Sequence, residues 1–261
     1  MTRYEEFRAL HHGARPLLLP NAWDHATALA LAAEGYAAVG TTSLGVAAAA
    51  GKADAEAATR AETVALAGVA ARLPCPLTVD VEGGFGGGRE DIAMLCAELA
   101  GLGAAGVNLE DGRTDGRLVD PRFQADAVAA IKARVPDLFV NARTDAYWLG
   151  IEDPLRTALD RASAYTEAGA DGVFVPGIAT DADISTAVDN VPVPLNVLFL
   201  PAHHTLAGLA SLRVARVSLG SLLYRAALHA AVATARAVAD GTPVAADLPS
   251  YGEVQGLVTG G

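Results

Sequence analysis

The sequence predicts an α/β fold, a (β/α)8 TIM-type barrel, on three observations. Short, nearly continuous apolar runs recur along the chain, as strands do when both faces are buried in a parallel sheet. Between them lie Ala-, Leu- and Glu-rich stretches with apolar positions three and four apart, the pattern of helices that bury one face. About eight such pairs in 261 residues is the arithmetic of a barrel, which typically takes about 250 residues. The competing architecture, a doubly wound sheet, favours a glycine-rich turn after its first strand. Here the first run leads into Leu19-Pro-Asn-Ala-Trp-Asp24, without a glycine.

In chain order the expected strands are Pro16–Pro20, Ala37–Thr42, Pro76–Glu82, Gly106–Glu110, Leu138–Arg143, Gly172–Pro176, Pro194–Leu200 and Arg216–Leu219. The expected helices between them are His25–Glu34, Ala55–Arg72, Asp91–Leu102, Ala125–Arg134, Pro154–Ala168 and Asp181–Asp189. Asp24 reads as the N-cap of the first of these and Gly35 as its C-cap, while Gly103 and Gly169 close later helices in the same way. Glu34-Gly-Tyr-Ala-Ala-Val39, Gly103-Ala-Ala-Gly-Val107 and Glu167-Ala-Gly-Ala-Asp-Gly-Val-Phe174 repeat one pattern: helix end, glycine turn, strand. No composition break divides the chain. The expectation is one domain over residues 1–261, with the barrel over about 16–225 and a helical extension over about 226–261.

Composition excludes several classes of function. At 52% hydrophobic and 19% charged residues, the chain has too much apolar surface to stay disordered. Nineteen basic against 30 acidic residues leave a net charge of −11 with no basic patch, so neither nucleic acid nor an anionic membrane is an expected partner. The longest apolar run, Ala37–Gly51, is shorter than the ~20 residues a bilayer span needs. Cys75 and Cys96 form no CxxC pair and read as buried thiols in a reducing compartment. The stretch Met1–Phe7 has acids and no apolar core, so no secretory signal is expected and the protein reads as cytoplasmic.

In a barrel the chemistry sits where strands end and βα loops begin. The run Leu77-Thr-Val-Asp80-Val-Glu82 ends on two acids that strand alternation puts on one side, where they repel unless a cation or a proton lies between them. Val107-Asn-Leu-Glu110-Asp111 brings a third acid to the neighbouring strand, about 4.8 Å away. Carboxylates without Cys or His suit a hard cation, Mg²⁺ or Mn²⁺. The alternative is that these acids cap helices or pair with loop arginines. The glycine run Gly83–Gly88 lacks the dinucleotide spacing and reads as a mobile loop leaving room for a substrate.

Arg143 in Phe139-Val-Asn-Ala-Arg-Thr-Asp145 interrupts an apolar strand. A guanidinium there is costly unless it meets an anion. It suits a substrate carboxylate or a developing oxyanion. It also suits an internal ion pair with Glu110 or Asp145, and the two roles can coexist. Gly40-Thr-Thr-Ser43-Leu44-Gly45 offers a hydroxyl and backbone N–H groups to an anion, with Asp54 following in the same loop. Asn196, an amide in an apolar strand, either contacts a ligand or ties strands together. No Gly-x-Ser-x-Gly elbow and no Cys–His pairing supports a triad hydrolase.

Taken in order, Leu19-Pro-Asn-Ala-Trp-Asp24, Thr41-Thr-Ser-Leu-Gly45, Val79-Asp-Val-Glu82 with its glycine loop, Asn108-Leu-Glu-Asp111, Asn141-Ala-Arg-Thr-Asp145, Gly169-Ala-Asp-Gly-Val-Phe-Val-Pro176 and Pro194-Leu-Asn196 resemble the isocitrate lyase/phosphoenolpyruvate mutase superfamily. The resemblance spans about Leu19 to Arg225. It implies an α/β barrel, Mg²⁺ dependence and α-oxo- or α-hydroxycarboxylate substrates. By the same resemblance Asp80, Glu82 and Glu110 match metal-site acids, Asp54 an acid near them, Ser43, Leu44 and Gly45 the substrate-carboxylate cradle, and Arg143 the contact to the reacting oxygen. It also implies a homo-oligomer, tetramer or dimer, with the last barrel helix, Leu222–Ala239, exchanged between subunits. The segment after the fourth strand departs from the family. Glu110-Asp-Gly-Arg-Thr-Asp-Gly-Arg-Leu-Val-Asp120 has neither the Lys-Lys-Cys-Gly-His flap of the isocitrate and methylisocitrate lyases nor the Lys and Asn-Ser of the mutases. The expected activity is a Mg²⁺-dependent carbon–carbon lyase acting on a small 2-oxo- or 2-hydroxy-acid through a pyruvate-like enolate. The alternatives are carbon–phosphorus chemistry on a phosphonate and a ligand-binding barrel without turnover. Asp115, Tyr147 and His203 are candidates for the proton donor.

Overall fold

The apolar runs pair side by side into a sheet that closes on itself. A computed structural model describes residues 1–245 and 247–259. Its strands are β1 (Leu17–Leu19), β2 (Asn21–Ala22), β3 (Val39–Thr41), β4 (Leu77–Asp80), β5 (Gly106–Glu110), β6 (Phe139–Arg143), β7 (Gly172–Val175), β8 (Leu195–Leu198) and β9 (Arg216–Ser218). They lie in the order β1-β9-β8-β7-β6-β5-β4-β3-β2, and every pairing is parallel. Pro20 has no N–H to give to a ladder, so it divides the first strand into β1, which pairs with β9, and β2, which pairs with β3. Closure through this divided strand makes the (β/α)8 barrel that the sequence predicts.

The helices are α1 (Arg3–Leu10), α2 (His25–Ala33), α3 (Ser43–Ala49), α4 (Arg60–Ala67), α5 (Arg89–Gly101), α6 (Pro121–Arg134), α7 (Pro154–Glu167), α8 (Asp181–Asn190), α9 (Leu206–Ser211), α10 (Leu222–Ala239) and α11 (Tyr251–Thr259). The side chain of Asp24 caps α2 by accepting from Thr27 N–H. Gly35, Gly103 and Gly169 follow their helices with positive φ, as the glycine turns predict. One expectation is corrected. The helix expected from Ala55 starts at Arg60, because Ala55 and Ala57 hold left-handed backbone in a loop. Directly after the second expected strand, Ser43-Leu-Gly45 forms the first turn of α3.

The N-terminal mouth of the barrel is plugged. Phe7 of α1 meets Phe139 edge-on at 5.2 Å, and His11 stacks on Phe139 at 4.3 Å. Leu17, Leu19, Ala38 and Ala105 complete this cluster. Burying a ring of this size is worth about 2–3 kcal/mol, and among the described residues it closes this mouth and leaves the C-terminal mouth open. Outside the barrel, α10 buries only Tyr224 and exposes Leu228, Val232 and Val238. Beyond it, α11 returns to the barrel wall, where Val258 O accepts from Arg72 Nη2 at 2.9 Å. Among the described residues no helix is long and apolar enough to cross a membrane. Cys75 and Cys96 are both buried and free.

Candidate active site

Strand alternation turns Asp80, Asn108, Glu110, Asn141, Arg143, Phe174, Asn196 and Ser218 toward the barrel axis. Asp80, Glu110, Arg143 and Phe174 surround a cavity of about 300 Å³ at the C-terminal mouth. Ser43, Leu44, Asp54 and Asp145 line the same cavity. Arg143 is the hub. Its Nη1 lies 2.8 Å from Glu110 Oε2 and its Nε 2.7 Å from Asp145 Oδ1. β5 and β6 pair in register with Glu110 opposite Arg143, so the ladder itself sets this contact. Both internal partners expected for Arg143 are therefore present.

Four carboxylates line this cavity, Asp54, Asp80, Glu110 and Asp145, against two guanidinium groups, of which Arg143 is the one that pairs with them. Burial pushes Glu110 up to about 8 despite Arg143, and Asp145 and Asp80 add to the shift by like-charge repulsion. Asp80 and Asp145 are also raised by burial, with Arg143 pulling the other way. Burial works against the charge of Arg143, but Glu110, Asp145 and Asp80 hold it protonated more firmly than usual. Carboxylates raised together in this way mark a site with more negative than positive charge. An oxygen-only donor set with surplus negative charge fits a hard divalent cation. Among the described residues no three acidic, His or Cys side chains converge as a ready-made metal cage.

Not every expected residue lines the cavity. β4 ends at Asp80, and Glu82 follows with φ 50°, so the alternation that would align the two acids stops before Glu82. The Glu82 carboxylate instead accepts from Thr59 Oγ1 at 2.7 Å and Ala57 N at 3.2 Å, bracing the loop that carries Asp54. Gly45 is buried within α3, where a Cβ would come 2.8 Å from Trp23 and from Thr42; close packing explains the glycine. Asn196 lies below the cavity and accepts from Ser218 Oγ at 3.1 Å, the strand-tying alternative. The glycine run is not open space for a ligand either: a Cβ on Gly83 would lie 2.3 Å from Arg113 Nη1, so the run makes room for the protein's own side chains. None of Asp115, Tyr147 and His203 lines the cavity. Asp115 pairs with Arg117 at 3.3 Å on the exposed loop instead.

Several contributors carried no role in the sequence reading. Asn21 donates to Thr41 O and accepts from Leu219 N and Gly220 N, lacing the divided strand to both neighbours. An amide directly after an apolar Leu-Leu-Leu-Pro run was the available signal. Arg216 is fully buried beneath the cavity, donating to Asn108 Oδ1 and Ser218 Oγ, and burial lowers it to about 9. Asp111, also fully buried, accepts from Arg161 Nη1 at 2.9 Å, Tyr165 Oη at 2.6 Å and Asp145 N at 2.9 Å. This network anchors the root of the loop after β5 and the start of the loop after β6. Its members lie 50 and 54 residues apart, so no local pattern reveals them.

The phosphoenolpyruvate phosphomutase family matches residues 7–239. The chain belongs to this family. An uncharacterized protein of Mycobacterium tuberculosis (strain ATCC 25618 / H37Rv) is 45% identical over 250 residues, covering 95% of this chain and 94% of its own. The 2-methylisocitrate lyase of Bacillus subtilis (strain 168) is 32% identical over 198 residues, 72% of this chain and 64% of the lyase. Among solved structures, a phosphonopyruvate hydrolase in complex with oxalate and Mg²⁺ superposes with a TM-score of 0.85 at 26% identity, over 99% of this chain and 95% of the hydrolase. The family thus spans lyases, mutases and hydrolases on one barrel, and the resemblance read from the strand-end motifs is borne out.

Proposed function

We propose that the chain is a Mg²⁺-dependent carbon–carbon lyase that cleaves the bond next to the carbonyl of a small 2-oxo- or 2-hydroxy-carboxylic acid. The observation that carries this reading is the placement of Arg143 among Asp54, Asp80, Glu110 and Asp145 at the open mouth of the barrel. Asp80 is the acid to hold the cation directly, with Glu110, Asp54 and the more distant Glu82 acting through water. When bound, Mg²⁺ supplies Lewis-acid stabilisation of the negative charge that develops on the substrate oxygens.

The chain's own residues do the rest. Ser43 and the first turn of α3 orient the substrate carboxylate, and Asp80 sits close to the Ser43 N–H. Arg143, held rigid by two carboxylates, presents fixed positive charge where an enolate oxygen forms; such a donor contributes about 3–4 kcal/mol. Phe174 lies beside the guanidinium, its ring centroid 5.7 Å from Cζ, and keeps that side of the cavity dry. Carbon–phosphorus cleavage is the second reading, favoured by the fold match to a phosphonopyruvate hydrolase. The family character and the exposed apolar residues Leu228 and Val232 of α10 also support a homo-oligomer that buries this helix between subunits.

The test is an assay with Mg²⁺ against oxaloacetate, methylisocitrate-type acids and phosphonopyruvate, following pyruvate and orthophosphate. Pyruvate formed from a carbon acid supports the lyase. Orthophosphate released from phosphonopyruvate alone replaces it with the second reading. No turnover of any of the three, together with no Mg²⁺ binding, overturns both.

A further inference from the structure

On the cavity floor lies an amide whose orientation is forced from below. Asn108 faces the barrel axis one layer beneath Glu110, stands opposite Asp80 in the β4–β5 register and lines the cavity. Its Oδ1 accepts from Asn141 Nδ2 at 2.9 Å and from Arg216 Nη2 at 3.2 Å. The two ends of an amide are alike in shape, so the hydrogen-bond partners decide which one is oxygen. Asn141 can satisfy either end, because its own amide carries a donor and an acceptor. Arg216 cannot, since a guanidinium has donors and no acceptor. The atom facing Arg216 is therefore the oxygen, and the N–H₂ of Asn108 points the other way.

Arg216 is fully buried, and its partners are neutral. Its Nε donates to Ser218 Oγ at 3.1 Å, its Nη2 to Asn108, and its Cζ lies 5.8 Å from the centroid of the Phe7 ring. Packing alone does not account for such a residue, because an apolar side chain of similar volume would fill the space at less cost. What an apolar side chain could not do is hold the Asn108 oxygen downward. The Asn108 N–H₂ meets no acceptor among the described residues, and it is not sealed in the core either. The enclosed polar atoms that lack a partner include Arg216 Nη1 and Asn196 Nδ2 but not Asn108 Nδ2. Its hydrogens thus open on the cavity. Beside the carboxylates that line this cavity, a neutral amide is a donor at every pH and suits a ligand oxygen.

We infer that Asn108 donates a hydrogen bond from the cavity floor to an oxygen of the bound substrate, and that Arg216 is the positioning residue that fixes the amide to do so. The inference rests on the proposed function, which puts the carboxylate–carbonyl end of the substrate over this floor. Oxalate reproduces the oxygens of that end and serves as the probe.

A crystal structure of the wild-type protein with Mg²⁺ and oxalate is expected to place an oxalate oxygen within about 3.2 Å of Asn108 Nδ2. Titration calorimetry then separates the roles. Asn108→Leu removes the donors at similar volume without adding charge; oxalate affinity falls roughly 10- to 100-fold, the usual cost of a lost hydrogen bond to a charged group, while affinity for Mg²⁺ alone stays within about twofold of wild type. Arg216→Gln, whose amide can meet either end of Asn108, lowers oxalate affinity at least about threefold, the lower range of coupling within one network. Arg216→Lys, again a donor only, restores most of it. In the Asn108→Leu background Arg216→Gln costs nothing further, because both act through one contact; a direct pull of the buried charge on oxalate would add its own loss. An oxalate bound out of reach of Nδ2 or bridged to it by water, or equal losses of Mg²⁺ and oxalate affinity in Asn108→Leu, overturns the inference. Additive losses in the double variant overturn the positioning role of Arg216. The structure and Asn108→Leu decide the role of Asn108 even where an Arg216 variant fails to fold. A wild-type protein that does not bind oxalate with Mg²⁺ overturns the proposed function itself, and this inference with it.

Discussion

Replacing Glu110 by Gln isolates the electrostatic cost of the site. Glu110 is 6% exposed, and burial lifts it from the ordinary 4.5 to about 8. An acid whose folded value is raised binds its proton more tightly in the folded chain than in the unfolded one. Between pH 4.5 and 8, therefore, each rise in pH favours unfolding. At pH 7 the penalty is on the order of 3 kcal/mol, at 1.36 kcal/mol per pH unit above the ordinary value. Near pH 5 it is below about 1 kcal/mol by the same relation. Gln has the same shape, still accepts from Arg143 and does not titrate. In chelator, Glu110→Gln is expected to melt roughly 5–10 °C above wild type at pH 7, with most of the gap gone at pH 5. Millimolar Mg²⁺ then narrows the difference at pH 7, because wild type gains more from the cation than the variant does. Differential scanning calorimetry at the two pH values, with and without Mg²⁺, measures all of this. A variant less stable than wild type at pH 7 in chelator, or a gap unchanged between pH 7 and pH 5, refutes the account of an overcharged site.

Three further outcomes are expected. Arg143→Met lowers kcat by about 10²–10³-fold on whichever substrate is turned over, the loss typical of one oxyanion donor, while circular dichroism shows an intact fold; unchanged kcat would remove Arg143 from the chemistry. Asp111→Ala leaves Arg161 buried without its partner and costs about 3–5 kcal/mol of stability, read as a shifted denaturation midpoint; a loss under about 1 kcal/mol would mean that the network does not anchor the loop. The pair Leu228→Glu and Val232→Glu lowers the molar mass seen by light scattering to that of one chain; wild type already running as a monomer would contradict the proposed assembly.

Much of this protein was legible in its sequence, because parallel strands buried on both faces write themselves as unbroken apolar runs. The Gly106–Glu110 run coincides with β5, and most others differ from the observed strands by one or two residues at an end. Barrel architecture then placed strand-end residues at one mouth, which is why Asp80, Glu110 and Arg143 could be singled out from their positions alone. The sequence did not determine where a strand stops. Glu82 looked aligned with Asp80, but the chain turns to φ 50° there and sends its carboxylate to Thr59 and Ala57. Nor did it show contacts closed by the barrel between distant segments: Asp111 with Tyr165, Arg216 with Asn108, Asn21 with Gly220. Local pattern records which face of an element is apolar, since that depends on periods of two or 3.6 residues. Which polar group meets which across the barrel depends on register and closure. Those are set by the whole sheet at once, so only the tertiary structure decides them.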